Sequence, residues 1–466
     1  MKLALCLQFL SLAILAYFLL VSLCYVFLFI LSFIGLLQHQ LRSQFATANE
    51  IMKAKITPPV SILAPAFNEE KSVAASVHSL LNLTYGLFEV VVINDGSKDR
   101  TLEILIEEFK LQKTRRNYNP QIPTQPIRGI YRSPIFKNLL VVDKENGGKA
   151  DSLNAGINIS AYPLICSIDS DSLLERQALL RVVHPFMEAY TQMVATGGLI
   201  RVANGCDFNA GEALAVRTSG KWLVNFQILE YFRAFLTGRM GLSMFNCLLV
   251  VSGAFGLFKK EPVIEVGGYR KDVVGEDMEL VVRLHHRLRK SKRPCGVAFI
   301  PDPVCWTEVP ENLKILSRQR NRWQRGLAES LSLHWQMLGN PRYGSVGLIA
   351  MPYFFGIELL SPLVELFGYA TFIFGIFQGA IEWKAFFAFL LLAVGFGLIL
   401  SLLALLLEEL AFRRYPGIRD LLRLMLAAVL ENLGYRQFMA IVRAQGLWDW
   451  MRGRKAWGVM ERQGIH

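Results

Sequence analysis

The sequence has no CxxC pair, and its seven cysteines (Cys6, Cys24, Cys166, Cys206, Cys247, Cys295 and Cys305) are scattered and odd in number. That excludes a structural zinc site of the usual spacing and a disulfide framework, and it fits a reducing compartment. Acids are short of bases, 38 against 50, which leaves a net charge of +12. A basic balance can mean nucleic acid. The chain lacks a zinc finger, a basic zipper or any other nucleic-acid module, and its basic residues lie mostly beside apolar segments, so no nucleic-acid partner is expected. Two glycine-rich phosphate motifs are missing as well, since neither GxxxxGK[ST] nor GxGxxG occurs.

Charge is also absent from residues 3–37. About 20 apolar residues cross a bilayer, so this run can span with tilt or overhang as a helix. It exceeds the apolar core of a secretory signal and has no small-residue cleavage site. Segment 1–40 is therefore expected to be a retained transmembrane helix, followed by a linker over 41–57. Only Lys2 precedes the apolar run, whereas Arg42, Lys53 and Lys55 follow it. The positive-inside rule then puts the N-terminus outside an inner or plasma membrane and the following domain in the cytoplasm.

Residues 58–340 read as a soluble α/β domain. VSILAPAF (60–67), FEVVVIND (88–95), NLLVVDK (138–144) and PLICSIDSD (163–171) are apolar runs with β-branched residues that end in polar ones. Helical patterns such as KSVAASVHSLLNL (71–83) and TLEILIEEFK (101–110) lie between them. Strand, loop and helix in repetition predict βαβ units and a mostly parallel sheet, with ligands at the C-terminal ends of its strands. The stretch from Lys113 to Lys137 reads as a surface insertion. Apolar sequence returns over 341–410, where 346–360, with Pro352 and Glu358, reads as interfacial or re-entrant. Residues 362–381 and 385–407 are long enough to span, making three spans in a multi-pass chain. Arg423, Glu431 and Arg436 interrupt the next apolar stretch, so 411–466 is expected to be an amphipathic interfacial helix and a basic tail.

IDSD (168–171) ends its strand on Asp169 and Asp171, whose carboxylates at i and i+2 point the same way. They can reach one hard cation, which in turn binds phosphate oxygens. PAFNEE (65–70) and INDGSKDRT (93–101) end two other strands, and Asp95 at its Gly-Ser turn suits the ring or ribose of a nucleotide. ENGGKADSLNAG (145–156) adds Lys149 for a phosphate. QRNRW (319–323) puts Gln319, Arg322 and Trp323 on one helix face, offering an amide, a fixed cation and an aromatic plate. Taken singly, each has an ordinary reading as an acidic turn or a basic helix at a membrane surface. Their succession in chain order is what points to a nucleotide site. His285 and His286 are adjacent, face different ways, and read as a solvated face rather than a metal site.

Together these segments resemble the family 2 inverting glycosyltransferases, in particular the membrane-embedded processive branch that includes poly-N-acetylglucosamine, hyaluronan, chitin and cellulose synthases. ENGGKADSLNAG and the arrangement from GEDMELVVRLH (275–285) to QRNRW are most similar to the poly-β-1,6-N-acetylglucosamine synthase type. The resemblance covers residues 58–340 and implies a glycosyltransferase A fold, a UDP-sugar donor, a polysaccharide acceptor and Mg2+ or Mn2+ on Asp169 and Asp171. It implies donor contacts at Pro65, Asn68, Glu69, Asp95, Lys149, Asp169, Gln319 and Arg322. Glu276 and Asp277 take the place of the general-base pair, with Asp277 as the base and Gly275 where the family usually has threonine. Ser252 and Gly253, from SGAFG, and Trp323 would lie against the acceptor. SGAFG departs from the Cys-Gly-Ser version of cellulose synthases, which argues against a glucan.

The product implied is a β-linked polymer of a hexose or N-acetylhexosamine, made with inversion, processively and coupled to export. The expected partners are the bilayer and either a small membrane subunit or a second copy of the chain. Glu358 and Glu365, seven apart in apolar sequence, share a helix face and either line a polymer path or pack against the soluble domain. Non-processive transfer of one sugar to a lipid carrier is the alternative. QRNRW argues against it, because single-transfer relatives generally lack that motif.

Overall fold

The computed structural model describes residues 2–45, 57–169, 172–209, 212–378, 383–415 and 417–454. Lys53, Lys55, Asp171 and Lys455 lie outside them, as do most of the 41–57 linker and the end of the basic tail. Lys2–Phe45 forms one helix, α1. Its second half overhangs onto the α/β domain, where Ser32 Oγ donates to Thr237 O at 2.6 Å and His39 pairs with Asp302 at 2.6 Å.

The strands are β1 (Val60–Ala66), β2 (Phe88–Asn94), β3 (Gln112–Thr114), β4 (Ile127–Arg132), β5 (Leu139–Lys144) and β6 (Leu164–Ile168), then β7 (Ser172–Leu174), β8 (Met193–Val202), β9 (Asp207–Asn209), β10 (Glu212–Ala215), β11 (Phe255–Lys259) and β12 (Gly296–Thr307). Ten of them make one sheet in the order β3-β4-β5-β2-β1-β6-β11-β8-β12-β7, and β9 and β10 form a separate ribbon. The central strands β5, β2, β1 and β6 are parallel. Ile62, Leu63 and Val90 to Ile93 are buried, as strands covered on both faces require. Helices α2 (Val73–Leu81), α3 (Thr101–Phe109), α4 (Lys149–Ile159) and α5 (Ala178–Glu188) lie between the strands in chain order. The α/β reading therefore holds, with an antiparallel break at β11. Residues 113–137 depart from the surface insertion expected. There β3 and β4 extend the sheet antiparallel from β5, with Ile130 turned into the core.

A continuous helix over 222–243 (α6), with wide π-type turns at Arg233–Arg239, precedes α7 (Glu276–Lys290) and α8 (Leu313–Leu333). Among the described residues, three helices are long and apolar enough to cross a membrane: the Leu7–Leu41 part of α1, Val346–Phe377 (α9) and Trp383–Ala411 (α10). Large apolar residues such as Phe9, Phe377 and Leu391 are exposed on them, the mark of a membrane-associated chain. Residues 346–360, expected as a separate interfacial or re-entrant segment, run on into the helix that follows. Wide turns at Val346–Ala350 and Phe354–Leu359 flank Pro352, so the hydrogen bond a proline removes is absorbed and the run continues into one long helix. Glu408 on α10 and Arg201 on β8 form a fully buried pair, Nη2 lying 2.7 and 2.9 Å from the two carboxylate oxygens, which ties sheet to membrane helix.

The single C-terminal amphipathic helix is two, α11 (Ile418–Leu430) and α12 (Tyr435–Met451), split at Gly434 with φ +102°. Glu431, whose charge suggested a surface location, is fully buried. It accepts from Arg233 at 2.7 Å, Ser401 at 2.7 Å and Arg436 at 2.9 Å. The interrupting charges therefore satisfy one another inside the protein. An apolar face over Ile418, Leu422, Leu426, Val429 and Leu433 stays exposed.

Candidate active site

The C-terminal ends of β1, β2, β5 and β6 meet at one edge, and the polar residues that end each strand interlock there. Pro65 lies within β1, in register with Ile93. Asn68, in the left-handed region at φ +56°, donates its backbone N–H to Ser97 Oγ at 3.0 Å and accepts on its side-chain oxygen from Lys98 N at 2.9 Å. Glu69 accepts from Ser72 Oγ at 2.6 Å. The first two strand-end loops are thus zipped together.

Asp95 is buried, and its carboxylate accepts from Gly147 N at 3.0 Å, Gly148 N at 2.8 Å and the fully buried Lys144 ammonium at 2.5 Å. Lys144 also pairs with buried Asp151 at 2.8 Å. In this structure Asp95 therefore holds the Gly-Gly loop through the two glycine N–H groups, with Lys144 bracing it from the end of β5. Gly96 makes that approach possible. Its φ is +66°, and a Cβ there would sit 2.8 Å from Asn146 N.

That loop sets Lys149 at the start of α4. Its ammonium lies 2.5 Å from Asp169 Oδ1 and 3.5 Å from Glu276 Oε1, and donates to Gly253 O at 3.0 Å. Burial opposes its charge, yet the carboxylates of Asp169, Glu276 and Asp277 raise its pKa well above the ordinary lysine value. Burial, with Asp277 adding, pushes the Glu276 carboxyl up against the pull of Lys149. Asp277 packs on the other side, where a Cβ on Gly253 would meet its Oδ2 at 3.1 Å. Ser252 Oγ accepts from Ala254 N at 3.2 Å and shapes that turn.

QRNRW lies in α8, as the spacing predicts. Gln319, Arg322 and Trp323 line the same cavity as Lys149, Asp169, Glu276 and Asp277. The cavity holds about 1200 Å3 and runs on between α1, α9 and α10, past Glu358 and Glu365. The motif's other arginine was not foreseen. Arg320 is buried, bonded to Glu230 at 2.5 Å and Gln319 at 2.9 Å, with its guanidinium 4.1 Å from the Trp323 ring centre. It braces the plate whose far side is open, Trp323 being 46% exposed. Helix α12 clamps the other side of α8 through Asp449, which accepts from Asn321 at 2.9 Å, and Arg443, which donates to Gln324 at 2.9 Å.

Sequence reasoning also missed Lys144, Arg239 and Gly326. A lysine inside a buried strand and a glycine inside a helix were the available signals. The His285–His286 reading needs correcting too. His285 is buried, bonded through Nε2 to Leu248 O at 3.0 Å, and burial lowers its pKa to about 3. His286 Nδ1 meets His334 Nδ1 at 3.2 Å. Helix α7 is covered on that side by α8, so the face is not solvated.

Parallel strands that deliver acids and a lysine to one edge, beside a cavity that continues between apolar helices, define a membrane-associated α/β transferase of the glycosyltransferase A type. Residues 61–122 match the family profile "Glycosyl transferase family 2" and residues 135–326 match "Glycosyltransferase like family 2". The chain belongs to the family 2 glycosyltransferases. It is similar to the poly-beta-1,6-N-acetyl-D-glucosamine synthase of Staphylococcus aureus strain COL, 26% identical over 273 residues, and to that of Staphylococcus epidermidis, 29% identical over 273 residues. Each alignment covers 58% of this chain and 55% of the relative, so the chain spans about half the length of the curated relatives it matches. Among solved structures, the mannosyltransferase PcManGT from Pyrobaculum calidifontis, in complex with GDP-Man and Mn2+, superposes with a TM-score of 0.52. It is 18% identical, over 91% of this chain and 99% of that one, a likeness of fold.

The acids of α7 are seated against α8 by a contact between two glycines. A Cβ on Gly326 would lie 2.9 Å from Gly275 Cα and 3.0 Å from Gly275 N, both backbone atoms that cannot swing away. Gly326→Ala is therefore expected to destabilise the protein by about 1–3 kcal/mol, as overpacking does, despite the better helix propensity of alanine. A lowered melting temperature in detergent checks this. An unchanged or higher one means that the helices can part without cost.

Proposed function

We propose that the protein transfers a hexose or N-acetylhexosamine from a UDP-sugar to the end of a growing β-linked polysaccharide, with inversion, processively and coupled to export. The observation that carries this reading is the single cavity joining Glu276 and Asp277 to the QRNRW face and then to the space between the apolar helices. The likeness to two poly-beta-1,6-N-acetyl-D-glucosamine synthases supports an N-acetylhexosamine. The N-terminus would lie outside and the α/β domain in the cytoplasm, with the bilayer as constant partner and a small membrane subunit or a second copy as a further one.

Inversion at the anomeric carbon needs one displacement. The acceptor hydroxyl loses its proton on one face of the sugar while diphosphate leaves from the other. Asp277, beside Gly253, takes that proton. Lys149 and Arg322 face the diphosphate, where negative charge grows in the transition state. Trp323 gives the acceptor ring a flat apolar surface, and Ser252 and Gly253 form the shelf beneath it. Gln319 orients the donor side, while Pro65, Asn68, Glu69 and Asp95 shape the pocket for the nucleotide. No covalent intermediate is required, so a lone catalytic carboxylate suffices.

Among the described residues no cluster of three or more His, Cys, Asp and Glu side chains is set to hold an ion. A metal site therefore rests on Asp169, which already holds the Lys149 ammonium on the cavity side, together with Asp171. Carboxylate oxygens suit Mg2+ or Mn2+, and such an ion would supply charge neutralisation on the leaving diphosphate. Asp171→Ala is expected to weaken UDP-sugar binding in the presence of metal, and excess EDTA to stop transfer by the unaltered protein. Full transfer in EDTA removes the metal from the mechanism.

Incubating membranes that contain the protein with a panel of radiolabelled UDP-sugars, then sizing the product, tests the whole reading. A long polymer from one donor supports it. A single sugar on lipid supports the carrier alternative, and no UDP release with any donor overturns both.

A further inference from the structure

We infer that Arg239 is a positioning residue that fixes the backbone before Gly253, and through it the shelf against which the Asp277 carboxylate packs. This rests on the reading of Asp277 as the base, and it concerns a residue outside every motif singled out in the sequence. Arg239 closes the run of wide turns at Arg233–Arg239. Such turns sacrifice hydrogen-bond geometry and recur at functional sites, because they carry a side chain off the regular spiral of the helix. Here they let one segment serve two neighbours. The Thr237 carbonyl turns to α1, where Ser32 bonds it, and Arg239 reaches the cavity that Gly253 and Asp277 line.

The guanidinium lies over the Phe235 ring, 3.8 Å from its centre, and donates from Nη1 to Val251 O at 2.8 Å. Val251 stands two residues before Gly253, the residue on which Asp277 packs. Burial draws the Arg239 pKa down to about 10, with the charge of Asp277 acting in the opposite direction. The group therefore stays charged at neutral pH in a poorly screened place. Its ring contact and its carbonyl bond are both to neutral groups, so the charge is spent on fixing the Val251 carbonyl, two residues before the glycine against which Asp277 packs.

The link extends to the membrane. A Cβ on Gly241 would lie 2.8 Å from Leu28 O, so α1 and α6 touch backbone to backbone two residues beyond Arg239. The seat of Arg239 thus depends on the first membrane helix.

The test uses full-length protein in detergent with the UDP-sugar that supports transfer. Arg239→Ala and Arg239→Lys are compared for kcat, UDP-sugar affinity and melting temperature, with and without added guanidinium. Arg239→Ala is expected to lower kcat about 10–100-fold, the range for a reacting group misplaced by an ångström, and to leave donor affinity within about twofold. Arg239→Lys should recover part of the loss, and added guanidinium should recover part of it for Arg239→Ala alone. A parallel fall in kcat and donor affinity, or no recovery by lysine or guanidinium, overturns the inference. Should Arg239→Ala fail to fold, Arg239→Lys and Arg239→Gln carry the same comparison. Normal turnover by Asp277→Asn would defeat the underlying reading. An inactive Asp277→Asn beside a fully active Arg239→Ala would defeat this inference alone.

Discussion

Asp277→Asn is expected to lower sugar transfer by about 10²–10⁴-fold, the usual loss with a general base, while UDP-sugar binding stays nearly intact. The substitution keeps the shape that packs against Gly253 and removes the proton acceptor. Glu276 is poorly placed to substitute. It is buried, its carboxyl is pushed up by that burial, and it faces the Lys149 ammonium at 3.5 Å rather than the Gly253 shelf. Most of the proposed donor contacts, at Pro65, Asn68, Glu69, Asp95, Gln319 and Arg322, lie on other strand ends and on α8, so binding and chemistry should separate. Single-turnover transfer measured beside UDP-sugar binding makes the comparison. Near-normal turnover would sink the assignment of the base.

What was legible in the sequence was the edge of the sheet. A strand buried on both faces must be apolar throughout, so VSILAPAF, FEVVVIND, NLLVVDK and PLICSIDSD announce where burial stops and loops begin. The acids and lysine at those stops fall together because parallel strands end on the same side. QRNRW was legible because helical spacing alone decides which of its residues share a face. The metal assignment to Asp171 stays an inference from sequence, because that residue lies outside the described ones.

Features that depend on the partner of a residue were not legible. Glu431 and Arg436 read as surface charges because nothing local reveals that Arg233, nearly 200 positions earlier, pairs with Glu431 in the interior. The run around Pro352 read as a separate interfacial or re-entrant segment, since the wide turns that absorb the proline have no local sequence signature. His285 read as solvated because nothing local reveals that the Leu248 carbonyl takes its ring nitrogen in the interior. Gly326 and Arg239 share this character, for each matters only through a backbone contact made elsewhere.

Arg322→Ala is expected to lower transfer by about 10²–10³-fold, the loss seen when one donor to a developing anion is removed, and to weaken UDP binding as well. Trp323→Ala should leave UDP binding intact and shorten the polymer. The structure separates the two residues, although they are adjacent. Trp323 is held from behind by Arg320 and presents its other face to the cavity, so what it can offer is area rather than charge. A sugar ring covering that face would contribute on the order of 1–2 kcal/mol, enough to retain an acceptor between additions but little for a diphosphate. Arg320 itself is committed to Glu230 and Gln319, and Arg322, which lines the cavity, is the arginine of the motif assigned to the donor. Measuring UDP affinity and product length on both variants in parallel distinguishes the roles. Identical defects in the two assays would mean that the motif serves only to seat α8 against α12, and the reading of QRNRW as a basic helix at a membrane surface would stand.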